Sequence, residues 1–400
     1  MIIGNVKIFT EQGKFVPGMV WVSEGRIKDI YHQQSTLWEA NKETCSEAMK
    51  EEYLDGKGHY LIPGMIDIHL HGCKGFDFCD STIEAIEEIA KYQAYIGVTT
   101  MAPATMTLPE KQLEKILDLC AAYRKKMREG KYEDCAELAG INMEGPFISK
   151  ERKGAQNAEY IRMPEAEIFY KFQEAAKGLI RYIGIAPELE GAMEFIEEIK
   201  EQVKVTLAHS DADYETAMKA LHAGASHVTH LYNGMAPYIH RRPGIVGAVY
   251  DSKFVEAELI CDGIHVHPMV IRATFDMLGK ERIILISDSI RATGMKPGDY
   301  NLGGLKVTVK KDRAVLSGSE TIAGSVMNLP QAVQFTVKEV GIPLEDVVLC
   351  VTQNPAKSLG IYEECGSITV GKKADMIFLD EKLDVSGVIK NGRLLWKEER

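Results

Sequence analysis

The chain has 400 residues, of which 45% are hydrophobic and 26% charged, and its formal net charge is −11 with a pI of about 5.6. This composition is typical of globular proteins, and its acidity argues against a protein that binds nucleic acid or an anionic membrane surface. No apolar run approaches the roughly 18 residues of a membrane helix, and the first residues lack a signal-peptide pattern. The eight cysteines form no CxxC pair, so we expect reduced thiols in a cytoplasmic protein.

Both ends of the chain are rich in predicted β-strands. Strand-like runs cover residues 1–10 and 19–31, and further runs, separated by glycine and Asn-Gly turns, cover residues 366–397. The economical interpretation is one small β-sandwich domain that both termini build together. We therefore assign residues 1–62 and 365–400 to this domain and residues 63–364 to a larger catalytic domain.

The region between the two ends alternates short apolar runs with helical periodicity. The strand-like runs are eight in number, at residues 64–70, 97–103, 139–145, 181–188, 203–210, 226–233, 255–263 and 282–289. Helical patterns separate most of them, at residues 81–96, 109–128, 164–176, 190–201, 212–222 and 267–278. Ser81 and Glu84 are spaced as a capping box for the first helix. Eight strand–helix units favour a (β/α)8 TIM barrel of the α/β class, and a doubly wound open sheet is the alternative.

Polar side chains follow many of these predicted strands. In a (β/α)8 barrel the C-terminal ends of the strands meet in one mouth, where active sites form. Histidine or acidic residues stand at six such ends, namely His69 with His71, Glu144, His209, His230, Asp262 with His265, and Asp288. Each residue alone could be a hydrogen-bonded structural group, but their joint placement indicates a functional site. Because His69 and His71 stand one residue apart on a strand, their side chains point to the same side.

Imidazole and carboxylate side chains together suit Zn²⁺, Fe²⁺ or a related divalent ion. Such an ion lowers the pKa of a bound water from about 15.7 to about 7 and so supplies hydroxide at neutral pH. Asp288, at the end of the last strand, is well placed to carry a proton to the leaving group. The competing interpretation is that Asp288 caps the following turn.

Several motifs carry a resemblance to a known family. They are PGMIDIHLHG (63–72), MEGPFIS (143–149) followed by KGA (153–155), LAHSDA (207–212), VTHLYNGM (228–235), RRPGIVGA (241–248), CDGIHV (261–266) and ISDS (286–289). With them the chain resembles the amidohydrolase superfamily over nearly its whole length, and within it the family of N-acetylglucosamine-6-phosphate deacetylases. The HxH motif marks only the superfamily, whereas THLYNGM together with EGPF is specific to these deacetylases.

The resemblance implies a role for each matching residue. Glu144, His209 and His230 look like the primary metal ligands, with His69 and His71 as a second pair, so that one or two divalent ions bind per chain. Asp288 looks like the catalytic acid and base. The residues that look like contacts to an amino-sugar phosphate are Gln156, Asn233, Gly234, Arg241, His265 and Ile322. The resemblance also implies a homodimer without nucleic-acid or membrane partners.

The chain departs from the family's pattern in three places. Gln156 stands where many members have a histidine near the scissile carbonyl, and residues 289–294 and 318–328 differ from the usual runs. We expect hydrolysis of N-acetyl-D-glucosamine 6-phosphate to D-glucosamine 6-phosphate and acetate. The alternatives are the N-acetylgalactosamine epimer, another amidohydrolase that acts on cyclic amides or dipeptides, and an inactive relative that serves as a binding protein.

Overall fold

The structure, a computed structural model, describes residues 1–32 and 52–398. Its strands are β1 (Ile2–Phe9), β2 (Phe15–Ser23), β3 (Arg26–His32), β4 (Tyr53–Asp55), β5 (Tyr60–Pro63), β6 (Met65–Asp67), β7 (Gly72–Cys73), β8 (Phe76–Asp77), β9 (Val98–Met101), β10 (Ala104–Thr105), β11 (Glu137–Leu138), β12 (Ile141–Phe147), β13 (Ile180–Ile185), β14 (Lys204–Leu207), β15 (His227–Val228), β16 (Glu256–Ile260), β17 (Ile283–Ile286), β18 (Gly298–Leu302), β19 (Leu305–Lys310), β20 (Arg313–Leu316), β21 (Met376–Leu379), β22 (Val385–Lys390) and β23 (Arg393–Lys397).

The α-helices of the described residues are α1 (Ile83–Tyr95), α2 (Glu110–Arg128), α3 (Ala166–Ala175), α4 (Ala192–Ile199), α5 (Tyr214–Ala223), α6 (Gly244–Asp251), α7 (Pro268–Leu278), α8 (Leu329–Phe335), α9 (Leu344–Val351) and α10 (Gln353–Ser358). Short 3₁₀ turns lie at Phe78–Asp80, Ala158–Tyr160 and Lys280–Arg282, and a π-helical turn lies at Thr336–Val340. None of these helices is both long and apolar enough to cross a membrane.

The two ends of the chain share one mixed sheet, which confirms the predicted small β domain. Its strands follow the order β23-β22-β21-β5-β1-β2-β3, and β4 pairs with β1. Alternate apolar side chains of these strands form a buried cluster separate from the main core, which includes Ile3, Ile8, Val20, Leu61 and Phe378. The assigned segments include residues 33–51 and 399–400, which lie outside the described residues, as does Cys45. The boundaries of the two domains stay a prediction.

The central region is a (β/α)8 barrel, as predicted. Each of the eight strand-like runs contains a strand, namely β6, β9, β12, β13, β14, β15, β16 and β17, and the pairs between them are parallel. Backbone hydrogen bonds close the ring where the sheets are interrupted. The amide of Asp288 donates to His69 O at 2.9 Å, and the amide of Asn142 donates to Pro103 O at 2.9 Å. The alternative of an open sheet is therefore wrong.

The six predicted helices are all present, with ends within two residues of the prediction, but the capping residue of α1 differs. Thr82 Oγ1 accepts from the amide of Ala85 at 3.1 Å, so Thr82 is the N-cap. Ser81 ends the preceding 3₁₀ turn with φ 59°, which is incompatible with the extended conformation of an N-cap. The prediction of a capping box at Ser81 and Glu84 was therefore wrong by one residue.

One further sheet was not anticipated, whereas the cysteines are as expected. An antiparallel sheet of β18, β19 and β20 follows the last barrel strand and was not predicted. The seven cysteines of the described residues are all free and buried, in line with the expected reduced thiols.

A half-buried cluster of ion pairs joins the barrel to the terminal sheet. Glu137, on β11, lies 2.7 Å from Arg124 on α2 and 2.5 Å from Lys373, just before β21. Burial alone would raise the pKa of Glu137, but Lys373 and Arg124 outweigh this effect and lower the pKa to about 2. Glu137 is therefore an anion that holds two cations from different parts of the fold.

We predict that Glu137→Gln lowers the free energy of unfolding at pH 7 by about 1–3 kcal/mol, because it leaves two half-buried cations without their anion. The folded-state pKa is depressed from 4.5 to about 2. The stabilisation is therefore fully present above about pH 4.5 and is lost as the pH falls towards 2. Denaturant unfolding at several pH values measures this difference. The control Glu133→Gln removes an exposed pair with Arg393 and should change stability by less than about 0.5 kcal/mol.

Candidate metal centre at the mouth of the barrel

A cavity of about 360 Å³ opens at the C-terminal ends of the barrel strands. Ten of the twelve residues predicted for the site line it, namely His71, Glu144, Gln156, His209, His230, Asn233, Gly234, His265, Asp288 and Ile322. His69 lies against this group and is fully buried, whereas Arg241 lines a neighbouring groove. The cavity lies within the usual range of small-molecule sites, roughly 300–1,000 Å³.

Glu144 stands at the centre of the cavity floor. It lies on β12, whose seven residues are all buried. Its Oε1 atom is 2.9 Å from Nε2 of His209 and 2.9 Å from Nε2 of His230. These three buried side chains offer ligand atoms close enough to one another to hold one metal ion. Barrel closure thus brings together residues that are far apart in the sequence.

Backbone carbonyls fix the orientation of both histidine rings. Nδ1 of His209 lies 2.8 Å from Arg152 O, and Nδ1 of His230 lies 3.0 Å from Asn233 O. Because a carbonyl oxygen only accepts, each Nδ1 carries the hydrogen and donates it. Each Nε2 is therefore the ring nitrogen available to a metal ion, which is the arrangement that metal-binding histidines adopt.

The other two histidines lie close to both Glu144 and Asp288. His71 Nε2 is 3.3 Å from Glu144 Oε2 and 3.3 Å from Asp288 Oδ1. His69 Nε2 is 3.6 Å from Glu144 Oε1 and 3.6 Å from Asp288 Oδ1. This Nε2 atom is buried and has no hydrogen-bond partner among the described residues. An unpaired buried nitrogen is unfavourable, and a divalent ion would satisfy it, so the residues present fit a second metal position.

The two carboxylates of the centre are both held as anions. Burial alone would raise the pKa of Glu144, but His69, His209 and His230 lower it well below its usual range. Burial would likewise raise the pKa of Asp288, but the hydrogen bond from His71 and the nearby charge of His69 lower it. A metal ion and protons on the histidines are alternatives here, because the same carboxylates attract both.

Three residues of the centre have left-handed backbone conformations. The φ angles are 45° for His209, 29° for His230 and 46° for Asp288. Residues other than glycine rarely adopt such angles, and strained positions of this kind concentrate at functional sites. In each case the backbone turns directly after a barrel strand, where the side chain enters the mouth.

Gly234 allows the segment after β15 to pack against the centre. Its φ is 62°, and a Cβ atom placed there would come within 2.8 Å of His209 Nδ1. A side chain at this position would therefore displace the ring of His209. The neighbouring Asn233 supports His230 through its backbone carbonyl. Both residues of the NG pair thus hold metal-facing histidines in place, besides lining the cavity.

Gln156 and His265 are held by specific partners at the cavity wall. The amide of Gln156 donates to Glu144 Oε2 at 2.9 Å, and its oxygen accepts from the amide of Thr107 at 2.7 Å. His265 Nδ1 lies 2.6 Å from Asp262 Oδ2. Burial alone would lower the pKa of His265, but this hydrogen bond and the charge of Asp262 raise it. Asp262 therefore holds the His265 ring in place at the cavity wall.

Two charged residues at or beneath the centre, Arg313 and Glu258, were not predicted from the sequence. Arg313, on β20, lines the cavity, whereas the predicted Arg241 is exposed in the adjacent groove with Arg242. Glu258, on β16, is fully buried beneath the centre and lies 2.8 Å from His69 Nδ1. An acidic residue within the apolar run VEAELI was a usable signal for Glu258. Arg313 had no such signal, because its hairpin was not predicted.

We predict more than one ion per chain at saturating Zn²⁺ for the wild type, and about one in a His69→Ala, His71→Ala double variant. His230→Ala should remove most of the tightly bound metal, because it breaks the group formed with Glu144 and His209. Elemental analysis after equilibrium dialysis measures both numbers. A wild-type stoichiometry that never exceeds one would return His69 and His71 to a structural role.

The chain was compared with known proteins. The sequence model of the amidohydrolase family matches residues 60–395. N-acetylglucosamine-6-phosphate deacetylase of Bacillus subtilis strain 168 is 35% identical over 98% of this chain and 96% of its own length. N-acetylgalactosamine-6-phosphate deacetylase of Escherichia coli O157:H7 is 34% identical over 84% of this chain and 87% of its own. A solved structure of a mutant N-acetyl-D-glucosamine-6-phosphate deacetylase from Mycobacterium smegmatis, in complex with N-acetyl-D-glucosamine-6-phosphate, has a TM-score of 0.87 at 29% identity over 98% of both chains. The chain therefore belongs to the amidohydrolase family.

Proposed function

We propose that the protein hydrolyses the acetamide bond of N-acetyl-D-glucosamine 6-phosphate, giving D-glucosamine 6-phosphate and acetate. The observation that carries this proposal is the buried carboxylate of Glu144 between two histidine pairs, with Asp288 beside it. The support for the substrate is the 35% identity to the Bacillus subtilis deacetylase, which extends over nearly the whole of both chains.

The proposed chemistry needs a divalent ion held by Glu144, His209 and His230, with a second position at His69 and His71. When bound, such an ion supplies a water of lowered pKa and polarises the carbonyl oxygen. Gln156 has one amide hydrogen committed to Glu144, so its second amide hydrogen can donate towards the substrate. Unlike a histidine at this position, Gln156 cannot titrate, and it therefore acts by orientation alone.

Asp288 moves the proton in this proposal. Its depressed pKa keeps it ionised at neutral pH, so it can accept a proton from the attacking water. An amide nitrogen leaves poorly as an anion, and Asp288 then delivers the proton to that nitrogen. Its carboxylate is held by His71 at 3.3 Å and its backbone amide by His69 O at 2.9 Å, which keeps the shuttle in a fixed position.

The sugar phosphate is proposed to bind on the side of the cavity opposite Gln156. Asn233, the backbone amide of Gly234 and the ring of His265 line the cavity there. A protein of net charge −11 repels a phosphate dianion over long range, so local cations have to bind it. Two guanidinium groups are candidates, Arg313 at the cavity and Arg241 in the groove beside it.

Several finer properties are part of the proposal. Imidazole and carboxylate donors suit Zn²⁺ or Fe²⁺. The sequence resemblance supports a homodimer that works in the cytoplasm. The N-acetylgalactosamine epimer is the second candidate substrate, because the Escherichia coli deacetylase of that name is 34% identical. Residues around the sugar ring, among them Ile322 at the cavity wall, would distinguish the galactosamine epimer from the glucosamine epimer.

We predict that the metal-loaded protein releases acetate from N-acetylglucosamine 6-phosphate, and that Asp288→Asn lowers kcat by about 10²- to 10⁴-fold, the usual contribution of general acid–base catalysis. The assay compares both phosphorylated epimers and a dipeptide. Metal content is measured in parallel, because Asp288 also faces His69 and His71. A folded, metal-loaded Asn variant with near-normal kcat would contradict the role of Asp288. Turnover of the dipeptide alone would contradict the substrate.

We predict that at least one of Arg313→Ala and Arg241→Ala raises KM for the 6-phosphate, while the KM for unphosphorylated N-acetylglucosamine changes little, because the substitution removes a guanidinium that pairs with the phosphate. Arg242→Ala is the matched control, since Arg242 is an exposed neighbour of Arg241 on the same turn. A selective effect of only one variant identifies the arginine that binds phosphate. Equal losses on both sugars would show that the residue supports the fold instead.

A further inference from the structure

Glu258 is an acidic side chain with no access to solvent that lies beneath the metal centre on β16. Four donors surround its carboxylate. Oε2 is 2.8 Å from His69 Nδ1 and 3.2 Å from the amide of His230, while Oε1 is 3.2 Å from His227 Nε2 and 3.3 Å from Asn142 Nδ2. A buried carboxylate that accepts this many hydrogen bonds is an anion, and all four bonds hold it in one orientation.

The contact with His69 decides which nitrogen of that ring faces the cavity. An ionised carboxylate only accepts, so His69 Nδ1 carries the hydrogen and Nε2 presents its lone pair. Nε2 is the buried atom without a hydrogen-bond partner among the described residues. His209 and His230 are oriented in the same way by neutral carbonyls, whereas His69 is oriented by a negative charge, which makes the ring a stronger donor to a cation.

We propose that Glu258 is a positioning residue for the second metal position. It fixes the tautomer and the ring orientation of His69 and thereby sets the affinity of the pair His69 and His71 for a divalent ion. This inference concerns metal binding and does not rest on the identity of the substrate. Glu258 itself is behind the ring and does not touch the cavity, so its effect passes through His69.

The surroundings of Glu258 explain how a charge is held inside the barrel. Both ring nitrogens of His227 face acceptors, Glu258 Oε1 at 3.2 Å and Glu256 Oε2 at 3.2 Å, so both donate and the ring is a cation. Burial alone would lower the pKa of His227, but these two carboxylates raise it. Lys204 pairs with Glu256 at 2.7 Å. Positive and negative groups thus alternate from Lys204 to Glu258, and the buried charges compensate one another.

Glu258 also ties the two halves of the centre together. Asn142 donates to the carboxylate and, at 3.0 Å, to the carbonyl of Ile68, the residue before His69. The backbone amide of His230, a residue of the primary group, donates to the same carboxylate. The carboxylate therefore contacts the segments that follow β6 and β15 and the second residue of β12 at one point. Loss of its charge should disturb His69 most, because that bond is the shortest of the four.

The test is zinc binding to the full chain, measured by equilibrium dialysis at fixed free Zn²⁺ and elemental analysis. We expect Glu258→Gln to weaken the second ion by about 10- to 100-fold, the usual effect of removing a hydrogen-bond partner of a ligand, while about one ion stays bound. In a His69→Ala background, the Gln substitution should cause no further loss. Circular dichroism of the metal-free variants shows whether the fold is kept.

Glu256→Gln is the matched control, because it alters the same strand and the same buried network without touching a metal-facing histidine. It should leave both ions bound. If Glu258→Gln does not fold, Glu258→Asp, whose carboxylate is one methylene shorter, should weaken the second ion in the same way. Wild-type affinity in either folded variant, an equal loss in Glu256→Gln, or a wild type that never binds a second ion would overturn the inference. Failure of acetate release would leave it intact.

Discussion

The contact on which the rest of this structure depends is that between the carboxylate of Glu144 and the imidazoles on either side of it. One oxygen lies 2.9 Å from both His209 and His230, and the other lies 3.3 Å from His71. A buried carboxylate needs a nearby cation, either a protonated imidazole or a metal ion, to stay ionised. The barrel supplies it by bringing strand ends from four different parts of the sequence to one point.

The surrounding fold holds the side chains around Glu144 in fixed orientations. Three of the four histidines that face Glu144 are held from behind, His209 by Arg152 O, His230 by Asn233 O and His69 by Glu258, so that their Nε2 atoms point inward. Left-handed backbone at His209, His230 and Asp288 is unfavourable locally, and the packed barrel maintains it. The terminal sheet contributes at a distance, since Lys373 joins it to Glu137 on the barrel side. The ion pairs that stabilise the fold thus lie between the barrel and the terminal sheet, whereas the atoms available to a metal ion lie at the mouth of the barrel.

Much of the architecture could be predicted from the sequence, because the barrel repeats one strong pattern. Apolar runs of strand length followed by amphipathic helices located all eight strands, and the polar residues after those runs located Glu144, His209 and Asp288. Spacing along the chain could not show that His69 and His71 come close to both Glu144 and Asp288. That relation depends on closure between the first and last strands, where the amide of Asp288 donates to His69 O and Ser289 O accepts from the amides of His71 and Gly72.

The residues that were not predicted from the sequence share a physical explanation. Arg313 belongs to a hairpin inserted after the last barrel strand, outside the repeating pattern that guided the prediction. Glu258 belongs to that pattern, but an acidic residue in a strand is usually read as pointing to solvent, and here both faces of the strand are buried. The spacing to Glu84 favoured Ser81 as the helix cap, but Ser81 ends the preceding 3₁₀ turn and Thr82 caps the helix instead. In each case local sequence was outweighed by what lay next to it in space.

The most direct test of the account is the metal content of a Glu144→Gln variant, because Glu144 is the one side chain common to both ligand groups. The substitution keeps the size and removes the charge. If Glu144 is the shared centre, the folded variant should lose both ions at Zn²⁺ concentrations that saturate the wild type, and acetate release should fall with them. A folded variant that keeps its full complement of two ions and releases acetate at a near-normal rate would contradict the account.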